Sequence, residues 1–519
     1  MKILSLAKGA RRMLGGRYGY ASLLTAVFLV IAGVSAWHHE FWRDEMQAWL
    51  IARDVPTLPA LLEQAHYEGS PPLWSLILRV LTWITPRPEI VQVFNWALAG
   101  LTFFLIAAHA PFNRLQKLLL AGNYYLLFEY GTVCRNYLPG VLGLVVACIV
   151  FPSAQRRPWL FAAALAMAAM ASVHSFIVAA AMAAAFWGER ILTVAGLLGK
   201  GSAEERGRCH LGPLSGLAGA MGLAVYSILP RADTLYAPAM GWLWEWQPAR
   251  LAKVASALVY AHFPWPRPDG FFWIPPWDVP FHLYDDPAVL SLAAAFFIGG
   301  VLLFRRHAAP LILYLAGTLG LAAFFYVKYL GFTRHTGFLF LVFFCAWWIR
   351  RGGDNTTPAG GALQRVGLIG SLAFTAMLAV QAIDGVHAVS MDVARPFSCG
   401  KAAAGYLVAH DLQDKFIAVG PDWAGAPLSG YLGRPVYYPY ARRHGSFVRW
   451  DTGRREAMED EEFYRLALTE AAGADMVIAL DHPLSGEFMR RHGIEFLTRE
   501  GGSLTPFEDY FLHYAPARK

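Results

Sequence analysis

The sequence predicts an α-helical polytopic membrane protein followed by a small soluble α/β domain. The chain has 519 residues, of which 56% are hydrophobic and only 16% are charged, whereas a soluble protein carries about 25% charged residues. Apolar runs of about twenty residues, long enough to cross a ~30 Å bilayer core, recur through the first three quarters and predict about 11–13 transmembrane helices. After residue 387 the charge rises and the apolar runs shorten.

The apolar runs define the candidate spans of a transmembrane domain over residues 20–387. Each run is interrupted by polar residues, glycine or proline before the next begins, as expected where short connections join successive helices. The candidate spans are 20–37, 72–86, 89–110, 117–133, 137–152, 159–187, 211–229, 288–304, 309–330, 336–349 and 366–386.

Basic residues beside the apolar runs predict the orientation of the chain. The segment 1–19 holds five Lys and Arg residues, and no acidic residue precedes Glu40. Because positive charge concentrates in cytoplasmic segments, the N-terminus is expected in the cytoplasm. The other basic segments are 156–157, 188–210, 305–306 and 350–351. The external side then receives the loop 38–71, the turns near Arg135 and Arg334, the Trp-rich loop 230–287 and the C-terminal domain 388–519.

Two segments fit this topology poorly. A full crossing by the short, proline-bounded segment 72–86 would leave Arg114 and Lys117 outside, against the positive-inside rule. Either that segment enters the membrane only in part, or the rule fails at this loop. The run 159–187 is too long for one untilted span and is interrupted by "SVHSF" at His174. Two half-helices meeting at the polar break and one long tilted helix both fit the pattern.

The composition excludes several classes of function. The net charge of +7 lies in short segments beside spans, so it indicates membrane orientation and not nucleic-acid binding. The five cysteines are scattered without CxxC spacing, which argues against a disulfide framework or a zinc site. The C-terminal domain alternates strand-like pieces ("KFIAVG", "PVYYP", "ADMVIAL") with helical ones, but it has neither GxGxxG nor GK[ST]. No nucleotide cofactor is expected.

Acidic residues are concentrated in the first external loop. In "RDEMQAWLIARD" the spacing of Asp44 and Gln47 predicts a capping box at the start of an amphipathic helix on the membrane surface. Asp44 and Glu45 are therefore either helix-terminus residues or catalytic carboxylates. A second short helix leads to His66, Tyr67 and Glu68, which the following Pro-Pro pair holds at the same face. An interfacial aromatic belt with solvated charges explains this loop equally well.

Cations are predicted at that same face of the membrane. Arg135 and Tyr137 lie in a short turn between spans, and "VKYLGFTRHTGF" places Lys328 near a span end before Arg334 and His335. Ionisable residues at membrane depth are costly and often mark a functional cavity, although Lys328 could simply extend to the interface. Acids beside clustered cations fit recognition of a phosphate next to a proton acceptor.

The ordered set "FWRDEMQAWLIARD", "YEGSPPLWSLIL", "CRNYLPGVLGL" and "MASVHSFIV" resembles the GT-C membrane glycosyltransferases. The resemblance is greatest to bacterial relatives of the protein O-mannosyltransferases and of the lipid A aminoarabinose transferase. It covers approximately residues 20–350. The sequence departs from the family at Ser70, where a His usually precedes Pro-Pro, and His66 is the nearest replacement.

The resemblance implies an inverting glycosyltransferase that uses a polyprenyl-phosphate-linked sugar in the bacterial inner membrane, with the C-terminal domain in the periplasm. The acceptor would be a hydroxyl of a glycan, lipid or protein. Asp44 is the expected base, with Glu45 in reserve. No cofactor is implied, and a metal held by His38, His39 and the carboxylates is not favoured. The residues expected at the donor lipid phosphate are Arg135, Tyr137, Lys328, Arg334 and His335, and those expected at the remaining substrate are His66, Tyr67, Glu68 and His174.

Two other classes of function remain open at this stage. A transporter or flippase of lipid-linked glycans would use the same cations without chemistry, but it predicts paired repeats with broken helices. A non-catalytic membrane scaffold would bind a partner through the external domain and would tolerate replacement of Asp44 by Asn.

Overall fold

The computed structural model describes residues 16–194, 210–235, 242–264, 287–329, 331–353 and 361–517. Most of the basic N-terminus, most of the predicted cytoplasmic loop 188–210 and residues 354–360 lie outside them. Fifteen helices precede the C-terminal domain within the described ranges. They are α1 Arg17–His38, α2 Arg43–Asp54, α3 Leu58–Glu68, α4 Leu73–Thr82, α5 Glu89–His109, α6 Arg114–Ala121, α7 Tyr137–Val150, α8 Pro158–Ala171, α9 Val173–Val194, α10 Leu211–Ile228, α11 Pro248–His262, α12 Pro287–Phe304, α13 Ala308–Val327, α14 Thr333–Gly353 and α15 Gly361–Ala394.

Several of these helices have the length and composition of membrane spans. Among the described residues, six helices (α1, α5, α10, α12, α13 and α15) are long and apolar enough to cross a bilayer, and shorter apolar helices pack between them. Leucines and valines of the six remain exposed on the outer surface of the bundle, as expected of side chains that face lipid tails. The protein is a multi-pass membrane protein, as the sequence predicts.

The short helix α4 removes the predicted conflict at Arg114. Its ten residues extend about 15 Å, half of the bilayer core. Helices α1 and α5 pack together. The Arg17 guanidinium lies 3.1 Å from His109 Nδ1, and the Tyr20 hydroxyl donates to the Arg114 carbonyl at 2.9 Å. Arg114 therefore lies at the same end of the bundle as Arg17, at the start of α1.

The predicted continuous span 117–133 is wrong. Helix α6 ends at Ala121, and a π-helical turn, Tyr124–Glu129, follows. The buried Asn123 side chain accepts the Leu126 N–H at 3.0 Å and donates to Gln381, and Tyr124 donates to Glu129 at 2.6 Å. These buried polar groups find their partners because the backbone leaves the regular helix here.

The run 159–187 forms two helices that meet at the polar break. Helix α8 ends at Ala171, and the Ser172 hydroxyl accepts the Ser175 N–H at 3.1 Å where α9 begins. Phe161, near the start of α8, lies 4.9 Å from Phe186 in the second half of α9. The two helices therefore run antiparallel, and the break brings His174 to one end of the bundle.

The predicted Trp-rich loop 230–287 contains a helix that the sequence reading did not anticipate. Helix α11 packs against α12 and α14, and Ala257 and Ala261 are fully buried in the main apolar core. At its start, Arg250 donates to the Phe325 carbonyl at 3.3 Å. The segment is therefore partly embedded among the membrane helices.

The C-terminal domain is a mixed six-stranded sheet with flanking helices, as predicted. The three strand-like pieces form β1 Phe416–Gly420, β2 Val436–Tyr438 and β4 Met476–Leu480. The strand order is β3-β2-β1-β4-β6-β5. Helix α15 runs to Ala394, beyond the predicted boundary at residue 387. The other elements are β3 Arg443–Gly445, β5 Glu495–Glu500, β6 Tyr510–Ala515, α16 Gly400–Ala409, α17 Gly425–Leu432, α18 Asp460–Ala471 and α19 Gly486–His492.

Candidate active site

Helix α2 begins one residue before Asp44, which corrects the predicted cap. Trp42 is the N-cap residue, and the Glu45 carboxylate accepts the Trp42 N–H at 3.3 Å. Asp44 is the second residue of the helix, so its carboxylate is not used as the cap. Gln47 does not reach back to Asp44; its amide donates to the Val448 carbonyl at 2.6 Å and its carbonyl accepts the Val448 N–H at 3.0 Å.

Asp44 lies between two arginines that come from distant parts of the chain. Its Oδ2 is 3.2 Å from Arg135 Nη1 and 3.5 Å from Arg334 Nη2, and its side chain is 32% exposed. Both guanidinium groups also lie over the Trp42 ring, at 6.0 and 5.2 Å from its centroid. Burial raises the pKa of Asp44, but Arg135, Arg334 and the adjacent Arg43 together outweigh burial and hold the pKa below its usual value.

This arrangement places more positive than negative charge at the site. Arg334 is 8% exposed and Arg135 is 19% exposed, so both guanidinium groups are largely withdrawn from water. Electrostatic attraction is stronger where water is excluded. A single carboxylate leaves the arginine pair with net positive charge, which suits an anionic group entering beside Asp44.

Glu45, the adjacent acid, faces away from this site. Its side chain is fully buried, and Oε2 lies 3.0 Å from His39 Nε2. The Cys134 N–H donates to Oε1. On its other side, His39 Nδ1 lies 3.1 Å from Asp392. Glu45 thus links the end of α1 to the end of α15 and to the turn before Arg135.

The charges of this buried network favour a protonated histidine. Burial alone would lower the pKa of His39, but Asp392 and Glu45 together raise it to about 10. His38, in contrast, is exposed, so the two neighbouring histidines do not face a common point. The described residues contain no group of His, Cys, Asp and Glu arranged to hold a metal ion.

Three further predicted residues gather behind the two arginines. The Tyr137 hydroxyl lies 2.9 Å from His335 Nε2, and the Phe332 N–H donates to His335 Nδ1 at 2.7 Å. Because Nδ1 accepts, a neutral His335 carries its proton on Nε2 and donates to Tyr137. The His174 ring stacks on His335 with centroids 4.6 Å apart. Within the described part of the chain, the buried Nε2 of His174 has no hydrogen-bond partner.

The residues predicted for the rest of the substrate separate into two groups. His66 Nδ1 lies 2.7 Å from the Leu229 carbonyl, and the Tyr67 hydroxyl donates to Asp233 at 2.9 Å. Both therefore attach α3 to the segment after α10. Glu68 accepts from the Gln47 amide at 3.2 Å, and burial raises its pKa to about 7 despite Gln47 and Arg135.

Lys328 lies at the end of a helix, over an aromatic ring. It follows the last residue of α13, and its Nζ lies 5.6 Å from the centroid of the Trp242 ring. Its position matches the interfacial alternative for this lysine more closely than the phosphate-binding one.

Sequence reasoning missed three residues that organise the site. The Trp42 ring makes cation–π contacts with both arginines. Gln47 connects Glu68 to the C-terminal domain. Asn136 donates to the Ser70 hydroxyl at 3.4 Å and to the Ala171 carbonyl at 3.0 Å. Asn136 thereby joins the turn of Arg135 to the Pro-Pro segment and to the break before His174. In the sequence, only its position next to Arg135 indicated that Asn136 belongs to the site.

Comparisons with known proteins add one structural similarity. No family model and no curated protein matches the sequence. Among solved structures, the fold is similar to the crystal structure of ArnT from Cupriavidus metallidurans bound to undecaprenyl phosphate. The sequences are 11% identical, the match covers 95% of this chain and 98% of that chain, and the TM-score is 0.49.

Proposed function

We propose that the protein is an inverting GT-C glycosyltransferase that moves a sugar from a polyprenyl-phosphate donor to an acceptor hydroxyl. The observation that carries the proposal is the partly exposed Asp44 carboxylate between Arg135 and Arg334. A carboxylate that receives a proton and cations that bind a departing phosphate are the two groups this reaction needs. The ordered motifs of the sequence point to the same family.

The positions of the charges support a site on the non-cytoplasmic side of the membrane. Arg17 and Arg114 lie at one end of the bundle, and the Asp44 site is at the opposite end of α1. Because basic residues mark the cytoplasmic face, the site opens on the non-cytoplasmic side. In a bacterium this is the periplasmic face of the inner membrane, where the C-terminal domain also lies.

The proposed reaction is a single displacement at the anomeric carbon. The acceptor oxygen forms a bond to this carbon on the face opposite the phosphate, and the bond from carbon to the phosphate oxygen breaks. Arg135 and Arg334 stabilise the negative charge that develops on the polyprenyl phosphate, since Arg can bind phosphate with two parallel hydrogen bonds. The hydroxyl proton goes to a carboxylate at the site.

Two carboxylates with different acidities support this proton transfer. Asp44 stays ionised because the arginines lower its pKa, so it can orient and begin to deprotonate the hydroxyl. Glu68, with a pKa of about 7, is the stronger base and the better final proton acceptor near neutral pH. Environments that push two neighbouring pKa values apart are typical of acid–base pairs in enzymes.

Deletion of the gene in its bacterial host tests the proposal. Surface glycans, glycolipids and glycoproteins would be compared by mass spectrometry, and the deletion strain would then be complemented with wild type or Asp44→Asn. We expect one sugar to disappear, wild type to restore it, and the Asn variant to transfer roughly 10²–10⁴-fold more slowly, the usual contribution of a general base.

The same strains separate the alternatives. If the protein were a flippase, its deletion would leave the donor on the wrong side of the membrane and would change every glycan that uses this donor. Deletion of a transferase would affect one linkage only. Full restoration of the sugar by correctly inserted Asp44→Asn protein would exclude the catalytic proposal and favour a scaffold.

A further inference from the structure

The C-terminal domain contacts helix α2 over most of its length. At the start, the Phe41 N–H donates to the Tyr431 hydroxyl at 2.9 Å. In the middle, Gln47 exchanges two hydrogen bonds with Val448. At the end, Ser446 donates to Asp54. The domain therefore packs along one side of the helix that carries Asp44.

A glycine allows this close approach. A Cβ built on Gly430 of α17 would lie 2.2 Å from the Met46 sulfur, far inside van der Waals contact. Met46 is itself fully buried. The backbone of α17 thus packs directly on the first turns of α2, and the two elements cannot move independently without opening this contact.

Glu508 makes the contact nearest to Asp44. Its Oε1 accepts the Arg43 N–H at 3.1 Å and lies 3.7 Å from Arg43 Nε, while Oε2 accepts the Ser398 hydroxyl at 2.7 Å. The Glu508 side chain is fully buried. The first N–H groups of a helix have no partner within the helix, and carboxylates stabilise that end of the helix dipole.

We propose that Glu508 is a positioning residue that caps helix α2 from the C-terminal domain and holds Asp44 between Arg135 and Arg334. The inference rests on the proposed function of Asp44. The C-terminal domain would then have a role in catalysis, because its Glu508 helps to fix the position of the helix that carries the reactive carboxylate.

The first turn of α2 is held from two sides. Glu45 binds the Trp42 N–H and Glu508 binds the Arg43 N–H, and Asp44 is the next residue. Loss of the Glu508 acceptor frees the Arg43 N–H and lets the turn fray at its start, which shifts Asp44 relative to both arginines. A misplacement of about 1 Å at a reacting group can cost about 10²-fold in rate.

The test measures transfer in membrane vesicles of the complemented deletion strain, which contain the native donor and acceptor. The release of polyprenyl phosphate would be followed per molecule of folded protein. Glu508→Ala removes the acceptor of the Arg43 N–H. We expect it to lower the turnover about tenfold, the size of a lost helix cap, with little change in the KM for the donor.

A double-mutant cycle separates positioning from general stability. In the Asp44→Asn background, Glu508→Ala should cause no further loss, because Asp44 is the group through which Glu508 acts. Losses that multiply in the double variant would overturn the proposal. Glu487→Ala, which changes an exposed glutamate of the same domain, is the matched control and should leave the turnover unchanged.

Hydrogen exchange gives a second readout that does not depend on the reaction. In Glu508→Ala, the backbone amides of residues 43–47 should exchange faster than in wild type, while those of α18 stay protected. Unchanged exchange at 43–47 would also overturn the proposal. If Asp44→Asn alone leaves transfer intact, the proposed function fails, and the exchange experiment still decides whether Glu508 caps α2.

Discussion

Asp44 and Glu45 are neighbours in sequence, yet the structure gives them opposite surroundings. Asp44 is one third exposed and contacts two arginines, whereas Glu45 is fully buried and contacts His39. Successive residues on a helix point about 100° apart, so the first turn of α2 directs one acid toward the partly exposed arginine pair and the other into the interior. Two adjacent carboxylates can therefore divide catalysis and anchoring between them.

The same division extends to their partners. The partners of Asp44, Arg135 and Arg334, keep a small exposed fraction of their side chains, 19% and 8%. Glu45 binds His39, and His39 in turn binds Asp392; all three side chains are buried, and they join three helix ends. Changes on the Asp44 side should alter binding and rate, and changes on the Glu45 side should alter stability.

The largest effect is expected for Glu45→Ala. This change removes one charge of a buried network and leaves the Trp42 and Cys134 N–H groups without their acceptor. Breaking a buried ion pair typically costs about 3–5 kcal/mol. Thermal unfolding in detergent should show a clear loss of stability, and an unchanged midpoint would show that the network does not anchor α2.

If the proposed function holds, Arg334→Ala should weaken the binding of a polyprenyl phosphate to the purified protein in nanodiscs. Removing one donor from a charged site costs about 3–4 kcal/mol where the donor is essential. Lys328→Ala is the matched control, since Lys328 lies over Trp242 and not beside Asp44. Equal effects of the two changes would place the phosphate elsewhere.

Glu68 should give the transfer rate its pH dependence. A carboxyl with a pKa of about 7 is protonated below this pH and can accept a proton only above it. The rate of wild type should therefore rise with pH up to about 7 and level off, with a change of about tenfold per pH unit on the rising limb. Glu68→Gln should lose this limb, and retention of the limb would assign it to another group.

Local patterns predicted much of the fold but not the register of the first turn of α2. Composition, apolar runs and basic segments suffice for a polytopic bundle, because burial in lipid depends on those features. The cap was misassigned since Asp44 and Gln47 match a common capping pattern, whereas the true N-cap, Trp42, is not a capping residue type. Only packing shows which acid faces inward.

Long-range contacts were beyond the reach of the sequence. The cluster of Arg135, Arg334 and His335 was predictable as residues of one membrane face, because each lies close to the end of a predicted span on that side. Glu508 lies 465 residues from Arg43, and no local pattern relates the two. The sequence left two explanations for the segment 72–86, partial entry into the membrane or a failure of the positive-inside rule. The length of α4 in the structure favours partial entry.

The most direct measurement compares Asp44→Asn and Glu45→Gln side by side, with both the amount of folded protein and the sugar transferred per folded molecule determined in the same membranes. The two changes are chemically equivalent at adjacent positions. We expect Asp44→Asn to fold normally and to lose transfer, and Glu45→Gln to accumulate less folded protein that retains most of its transfer per molecule. The opposite pattern, or equal loss of transfer per folded molecule in both variants, would contradict the assignment of Asp44 as the reactive carboxylate.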